Sequence, residues 1–440
     1  MNRYSSFFVR DRARTLRLSA SLLVAATLTI PLWNGGSAHA WPMRHPRPNS
    51  MRGIRIEEQH WDFPDITARG QTFRVMAFDG HTHTAFSRDA VHPIADFMWL
   101  AETRDLDMIV ITDHGATSAR RYLDRTYRGP VSVIIGAEIG GSFGHAVVYG
   151  LSEGTDMSTE SMQAVGDHVH GDGGVVVLAH PGWWIGNNTW NPRRWMQYDA
   201  LRHGGIGDEI DALELWSQVY WHRSRLLIDD WAQLLDQHLY VPIVGNSDFH
   251  RALSHQMGIP RNACLCPLNR DGTLQGTPQE CLLSAVREGR LYVTDGPTID
   301  LQVAGHIPGE VVPVLPHTLL PIVVRAMAPE GGEVQVYVGS EIHTRLALSP
   351  GVALEERLVI PVPEGDSYVR VEIARLSNRE DEPPFSLLTN PIRIDVLPAR
   401  NDGWRGPDEG EIPGPEGFTR RELLTEHQRE MRDLMARDGQ

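Results

Sequence analysis

The sequence predicts an α/β domain followed by a smaller antiparallel β-sandwich, and three observations carry this reading. Short apolar runs recur from Thr72 onward: FRVMAFDGH, LDMIVITDH, VSVIIGAEI, HAVVYGL, GVVVLAHP, DALELWS and YVPIVGNSDFH. Continuous β-branched runs bounded by Gly, Asp or His suit strands buried on both faces of a parallel sheet. Between them lie stretches with helical spacing, such as PIADFMWLAETR, TESMQAVGDHVHGD and SRLLIDDWAQLLDQH. Strand-helix alternation repeated this often points to a barrel or an open doubly wound sheet. After Pro297 the helical stretches stop, and LPIVVRAM, EVQVYVGS, ERLVIPVP, SYVRVEIARL and NPIRIDVL alternate under Gly and Pro punctuation, as sandwich strands do.

Along the chain, residues 1–40 have the order of a secretory signal peptide. Arg3, Arg10, Arg12, Arg14 and Arg17 precede an apolar run from Leu18 to Trp33, and Ala38-His39-Ala40 offers a small-residue cleavage site. An uncleaved N-terminal anchor is the alternative. The absence of an Arg-Arg pair favours general secretion, and a secreted or periplasmic protein is expected. The apolar run is short for a bilayer span, so no stable membrane span is expected after cleavage. Residues 41–71 read as an extended lead-in and 72–297 as the α/β domain. Residues 298–398 form the sandwich, and 399–440 a polar tail in which TRRELLTEHQREMRDLMARD could form a surface helix or stay disordered.

Composition removes several functions. The formal net charge of −15 disfavours nucleic acid and anionic lipid as partners. All 41 basic residues are arginine, which excludes a P-loop lysine, Schiff-base chemistry and a Ser-Lys dyad. Of three cysteines, Cys281 could bridge to Cys264 or Cys266, or all three could pack as buried thiols.

The ionisable residues fall where the strand-like runs end. Asp79-Gly80-His81-Thr82-His83 puts both histidines on one side of a strand, because side chains alternate with period two. Later runs end in Thr112-Asp113-His114, in Glu138 followed by His145, in Ala179-His180-Pro181 and in Asp248-Phe249-His250. A single histidine of this kind is more often structural than a ligand. In parallel α/β folds, however, strand C-termini converge on one rim. Six histidines with three carboxylates gathered there would repel one another without cations, and metal ligation removes that cost. Nitrogen and oxygen donors suit Zn, Mn or Fe. Two or three divalent ions would give a metal-activated hydroxide, which predicts hydrolysis with no protein nucleophile and no organic cofactor.

HTHT with Asp89 beyond it, TDH, GAE followed by GH, AHP and SDFH resemble, in order and spacing, the motifs of the PHP (polymerase and histidinol phosphatase) superfamily over roughly residues 73–297. The segment ECLLSAVREGRLYVTDGP and the β-rich region after it resemble the CehA/McbA-type branch, named for carbaryl hydrolase. The resemblance implies a distorted (β/α)7 barrel with up to three metals. His81, His83, Glu138 and Asp248 would hold one ion; bridging Glu138 with His145 and His180 a second; Asp89, His114 and His250 a third. Relatives often carry Asn shortly after the Glu of DALELWS, where Ser217 stands here, so Glu214 is read as structural.

Asp79 and Asp113 are candidates for fixing imidazole tautomers, with strand-end capping as the alternative. His222, Arg223, Arg88 and Arg251 are candidate substrate contacts, as is Arg225, the arginines because a guanidinium fork suits phosphate or carboxylate; a solvated surface role is the commoner one for each arginine taken singly. The run from Trp183 to Trp190 could form an apolar lid or a packed loop. The substrate expected is a small-molecule phosphate ester, or, on the branch resemblance, a carbamate or carboxylic ester. A non-catalytic exported binding protein is the other class.

Overall fold

In a computed structural model, the described residues are 48, 51, 63–115, 117, 119, 123, 127, 129–141, 144–152, 161–181, 209–218, 221–252, 254–376 and 383–397. The proposed leader, the Trp183–Trp190 loop and the tail from 399 lie outside them.

The first part alternates strands with helices. In order they are β1 (Ile66–Ala68), β2 (Gln71–Asp79), α1 (Ile94–Thr103), β3 (Met108–Ile111), β4 (Ser132–Gly141), β5 (Gly144–Tyr149), α2 (Met162–Gly171), β6 (Val175–Leu178), β7 (Ala212–Ser217), α3 (Trp221–Leu235), β8 (Ile243–Asn246), β9 (Arg261–Pro267), α4 (Pro278–Glu288) and β10 (Leu291–Thr294). Only strands follow: β11 (Thr298–Val303), β12 (Val311–Val314), β13 (Leu319–Met327), β14 (Gly332–Val338), β15 (Glu341–Leu348), β16 (Leu354–Pro361), β17 (Ser367–Ala374), β18 (Phe385–Thr389) and β19 (Ile392–Val396). The architecture is mixed α/β with strands in the majority.

The sheet differs from the all-parallel one expected. Pairings β2–β3, β3–β4, β6–β7 and β7–β8 are parallel, but β5 runs antiparallel to both β4 and β6. The reason is connection length: β5 begins at Gly144, directly after β4 ends at Gly141, and a parallel crossover needs a dozen or more residues. Strand β9 also lies antiparallel on β2.

The run of strands from β2 to β8 returns on itself. A parallel bridge pairs Thr82, just past β2, with Phe249, just past β8, and the His83 amide donates to the Phe249 carbonyl at 2.9 Å. Lower down, the side chain of Asn262 on β9 accepts from the Gly245 amide at 2.9 Å and donates to the Gly245 carbonyl at 2.8 Å. Asn390, after β18, does the same for Ile243, at 2.8 and 3.0 Å. Two buried amide side chains thus satisfy backbone groups of β8 that no neighbouring strand reaches.

Past Pro297 a three-stranded sheet, β11-β13-β16, faces strands β12, β19, β17, β18, β14 and β15. Their apolar faces share a core of Val324, Val334, Val336, Val371 and Ile373 with Phe73, Val75 and Leu265 of the first part. Because β18 pairs with β10, the larger sheet continues through residue 297 without a break. One disulfide joins Cys266 of β9 to Cys281 of α4, leaving Cys264 as a buried free thiol. No helix among the described residues is long and apolar enough to cross a membrane.

Candidate metal centre

The strand-end motifs meet in three dimensions. Past β2, the His81–His83 segment lies between the segment after β3 and the segment after β8: the Thr112 amide donates to Thr82 O at 2.9 Å on one side, and Thr82 bridges Phe249 on the other. A second bridge, His114 with Glu138, brings the ends of β3 and β4 together. All nine residues expected as ligands therefore face one another.

Glu138 sits at the centre, and its two oxygens divide the histidines. Oε1 lies 2.7 Å from His145 Nδ1 and 3.2 Å from His180 Nε2. Oε2 lies 3.0 Å from His114 Nδ1, 3.3 Å from His83 Nε2 and 3.5 Å from His81 Nε2. Asp248 Oδ1 stands 3.3 Å from His81 Nε2, 3.4 Å from His83 Nε2 and 3.5 Å from His250 Nδ1. Asp89 closes the exposed side, 3.0 Å from His114 Nε2 and 3.6 Å from His250 Nε2. His180 and Asp248 hold φ of 29° and 50°, a conformation that side chains other than glycine adopt only at a cost of order 1–3 kcal/mol.

The electrostatics pair raised imidazoles with depressed carboxyls. Burial opposes charge on His83, yet the Asp248 and Glu138 carboxylates outweigh it and push the imidazole up to about 9. His81 and His180 are likewise raised against burial, His81 by Asp248, Glu214 and Glu138, and His180 by Glu138, Asp248 and Glu214. Burial also opposes ionisation of Glu138 and Asp248, but the surrounding imidazoles hold both carboxyls well below the usual range. Burial lowers His114 and His250, which leaves them neutral.

This donor set fits divalent cations. His81 Nε2, His83 Nε2 and Asp248 Oδ1 are buried and make no well-formed hydrogen bond. Such orphaned atoms are costly unless something absent satisfies them. Three trios have ligand atoms within 4.8 Å of one another: His81-His83-Asp248, His81-Glu138-His180 and His83-His114-His250. Nitrogen and carboxylate donors without thiolate suit Zn, Mn or Fe. The cysteine trio is no rival, because two of its members form the disulfide.

Glu214, read as structural, is fully buried with Oε2 3.0 Å from His81 Nδ1. A carboxylate only accepts, so Glu214 holds a proton on His81 Nδ1 and leaves Nε2 facing the centre. Asn246 donates to Glu214 Oε2 at 2.9 Å and accepts from the Gly80 amide at 2.8 Å. Asp79 does not touch a ring: it accepts from the Ser247 hydroxyl and the amides of Ser247, Gly258 and His81, which makes it a cap on the loop carrying Asp248. Asp113 acts through Ser87, whose hydroxyl donates to Asp113 Oδ1 at 3.0 Å and stands 3.1 Å from His83 Nδ1. Ser87 and Asn246 were missed because a lone Ser or Asn carries no sequence signal. Glu214 had one, since it is a carboxylate set inside the otherwise apolar stretch ALELW.

Of the candidate substrate contacts, Arg88 and Arg251 are exposed beside Asp89, and Arg251 reaches the Asp89 carbonyl at 3.5 Å. His222 and Arg223 lie in α3, with side chains outside the described residues. Arg225 turns away: it pairs with Glu372 of β17 at 2.7 Å and Asp229 at 2.9 Å, so its role is to hold α3 to β17 of the larger sheet.

No family model matches the chain, and no curated protein matches it. Among solved structures, a two-domain protein of Bacteroides vulgatus ATCC 8482, described as containing a "predicted PHP-like metal-dependent phosphoesterase", shares 13% identity over 77% of this chain and 99% of its own, with a TM-score of 0.43. The fibronectin(III)-like modules of Clostridium thermocellum CbhA share 19% identity over 23% of this chain and 99% of theirs, with a TM-score of 0.17. A Niemann-Pick type C2 protein from the Japanese carpenter ant shares 11% identity over 23% and 95%, also at 0.17. These likenesses are too low to carry a conclusion about this chain.

Proposed function

We propose that the chain is a metal-dependent hydrolase of the PHP type, acting on phosphate esters at a centre built by the ring of strands from β2 to β8. The observation that carries this is Glu138, with one oxygen among His145 and His180 and the other among His81, His83 and His114. A carboxylate so placed is suited to bridge ions. His81, His83, Glu138 and Asp248 would hold one ion, Glu138 with His145 and His180 a second, and Asp89, His114 and His250 a third. Bound there, divalent ions supply Lewis acidity toward an anionic oxygen and acidify water.

The chain's own residues orient and position. Glu214 and Ser87 keep the Nδ1 protons of His81 and His83 outside the centre and their Nε2 atoms inside it. Arg88 and Arg251 flank the exposed side, and a guanidinium there suits a phosphoryl group. No described residue favours a carbamate or carboxylic ester over a phosphate. Export to an oxidising compartment belongs to the same proposal and is supported by the Cys266–Cys281 bridge, since such bonds persist outside the cytosol.

The test is hydrolysis of p-nitrophenyl phosphate beside 1-naphthyl N-methylcarbamate by purified protein supplied with Mn or Zn, with His83→Ala as control. Phosphate turnover that the substitution abolishes is expected. Turnover of the carbamate alone would replace the substrate class, and failure to retain metal would overturn the hydrolase reading.

A further inference from the structure

A cleft of about 690 Å³ opens at the far end of the same strands. Gln71 and Pro242 line it, and they stand at the start of β2 and just before β8, whose other ends lead to His81 and Asp248. The nine residues of β2, at 3.2–3.4 Å each, put it roughly 25 Å from the histidine cluster. Its volume falls within the roughly 300–1,000 Å³ of small-molecule sites.

The cleft is basic in a chain whose net charge is −15. Four arginines line it, 69, 287, 290 and 393, against two carboxylates, Glu288 and Glu310. Both carboxylates are taken: Arg69 donates to Glu310 at 2.6 Å, and Arg290 to Glu288 at 2.7 Å. Arg287 donates from Nη2 to the carbonyls of Gly173 and Gly174, which carry no countercharge. The half-buried Arg393 guanidinium stands 5.4 Å over the Tyr240 ring, with no ion pair or side-chain hydrogen bond among the described residues. Among the described residues neither Arg287 nor Arg393 makes an ion pair, and the lining holds four arginines against two carboxylates. Around them Phe73, Tyr240, Pro242, Pro267 and Pro391 provide apolar wall. A surface arginine normally keeps water for its counter-charge. Here the cation is placed over an aromatic ring inside a concavity, which pre-orients its fork for an anion.

We propose that this cleft is a second ligand site, separate from the metal centre, that takes a small organic dianion bearing either one phosphate or two carboxylates. Arg287 and Arg393 meet its charge, and the Tyr240 and proline wall meets its carbon body. The proposal does not rest on the hydrolase reading.

Calorimetric titration of the metal-free full-length protein with phenylphosphonate, which resists hydrolysis, and separately with phthalate tests it. Saturable one-to-one binding of at least one probe is expected, with a dissociation constant near or below about 1 mM. The two arms distinguish a phosphate-bearing from a dicarboxylate ligand. Arg393→Gln is expected to weaken binding tenfold or more, and Arg287→Gln likewise, while His83→Ala leaves it unchanged. The unchanged thermal melt of each variant excludes unfolding. If Arg393→Gln does not fold, Arg287→Gln and Arg393→Lys decide. Absence of saturation with both probes, binding indifferent to both arginine substitutions, or binding lost in His83→Ala would each overturn the proposal.

Discussion

Glu214 Oε2 lies 3.0 Å from His81 Nδ1, and both side chains are fully excluded from solvent. That contact decides which nitrogen of His81 faces the centre. Glu214→Gln keeps the shape but offers an amide that can donate as well as accept, so the tautomer is no longer enforced. Metal affinity is expected to fall by about 10–100-fold, with the fold retained. Competition with a chelating dye measures this, and an unchanged affinity would return Glu214 to a packing role.

Ser87 joins three partners: its hydroxyl donates to Asp113, receives the His114 amide at 3.0 Å, and stands 3.1 Å from His83 Nδ1. Ser87→Ala strips these at once and leaves a buried carboxylate short of one donor. A loss of about 1–3 kcal/mol in unfolding free energy is expected, together with weaker metal retention. Denaturant titration with and without Mn separates the two effects. A variant as stable as the parent in both conditions would contradict this reading.

Stability should depend on pH in opposite directions with and without metal. In the metal-free protein His83 is raised from an ordinary 6.5 to about 9. A group with a raised folded value contributes stability that is full below its unfolded pKa and lost as pH climbs through the folded one. The metal-free melting temperature should therefore fall between about pH 6.5 and 9, by the equivalent of a few kcal/mol at most. Asp248 and Glu138, both depressed, add stability that is lost only on acidification. Metal displaces the proton from His83, so binding should release protons, and apparent affinity should rise with pH up to about 9. Calorimetry in buffers of different ionisation enthalpy counts those protons; zero release would refute the protonated cluster.

Asn262 closes the gap between β8 and β9 through paired bonds to Gly245. Asn262→Leu has similar volume but leaves a buried amide and a buried carbonyl unmet, at about 1–3 kcal/mol each. Urea unfolding should show a loss of this order. A loss under about 0.5 kcal/mol, the range of an ordinary surface substitution, would mean that the strands close without it.

Much of the site was legible in order of sequence. His81 and His83 share a strand face by period two, and His114, Glu138, His180, Asp248 and His250 stand at or near the ends of later apolar runs, so their convergence follows from strand geometry; Asp89 and His145 stand outside that pattern. The strand-only region after Pro297 was legible for the same reason, because alternation without helical spacing admits little else. The direction of β5 was less visible: its residues read as a buried strand, and only the shortness of the step from Gly141 to Gly144 turns it round.

What the chain alone determined, then, is which residues are candidate ligands and which periodicity each segment obeys, since both are local properties of residue type and spacing. Which carboxylate orients which imidazole was decided by tertiary structure. Glu214 reaches His81 and Asp79 reaches Ser247 across long stretches of chain, and each contact depends on angstrom-scale placement that packing sets. The partner of Cys281 was decided in the same way: Cys264 and Cys266 are equivalent in sequence, and the docking of α4 on β9 selects Cys266. Hydrogen bonds and disulfides form between atoms within a few ångströms, and proximity of that kind is a property of the fold.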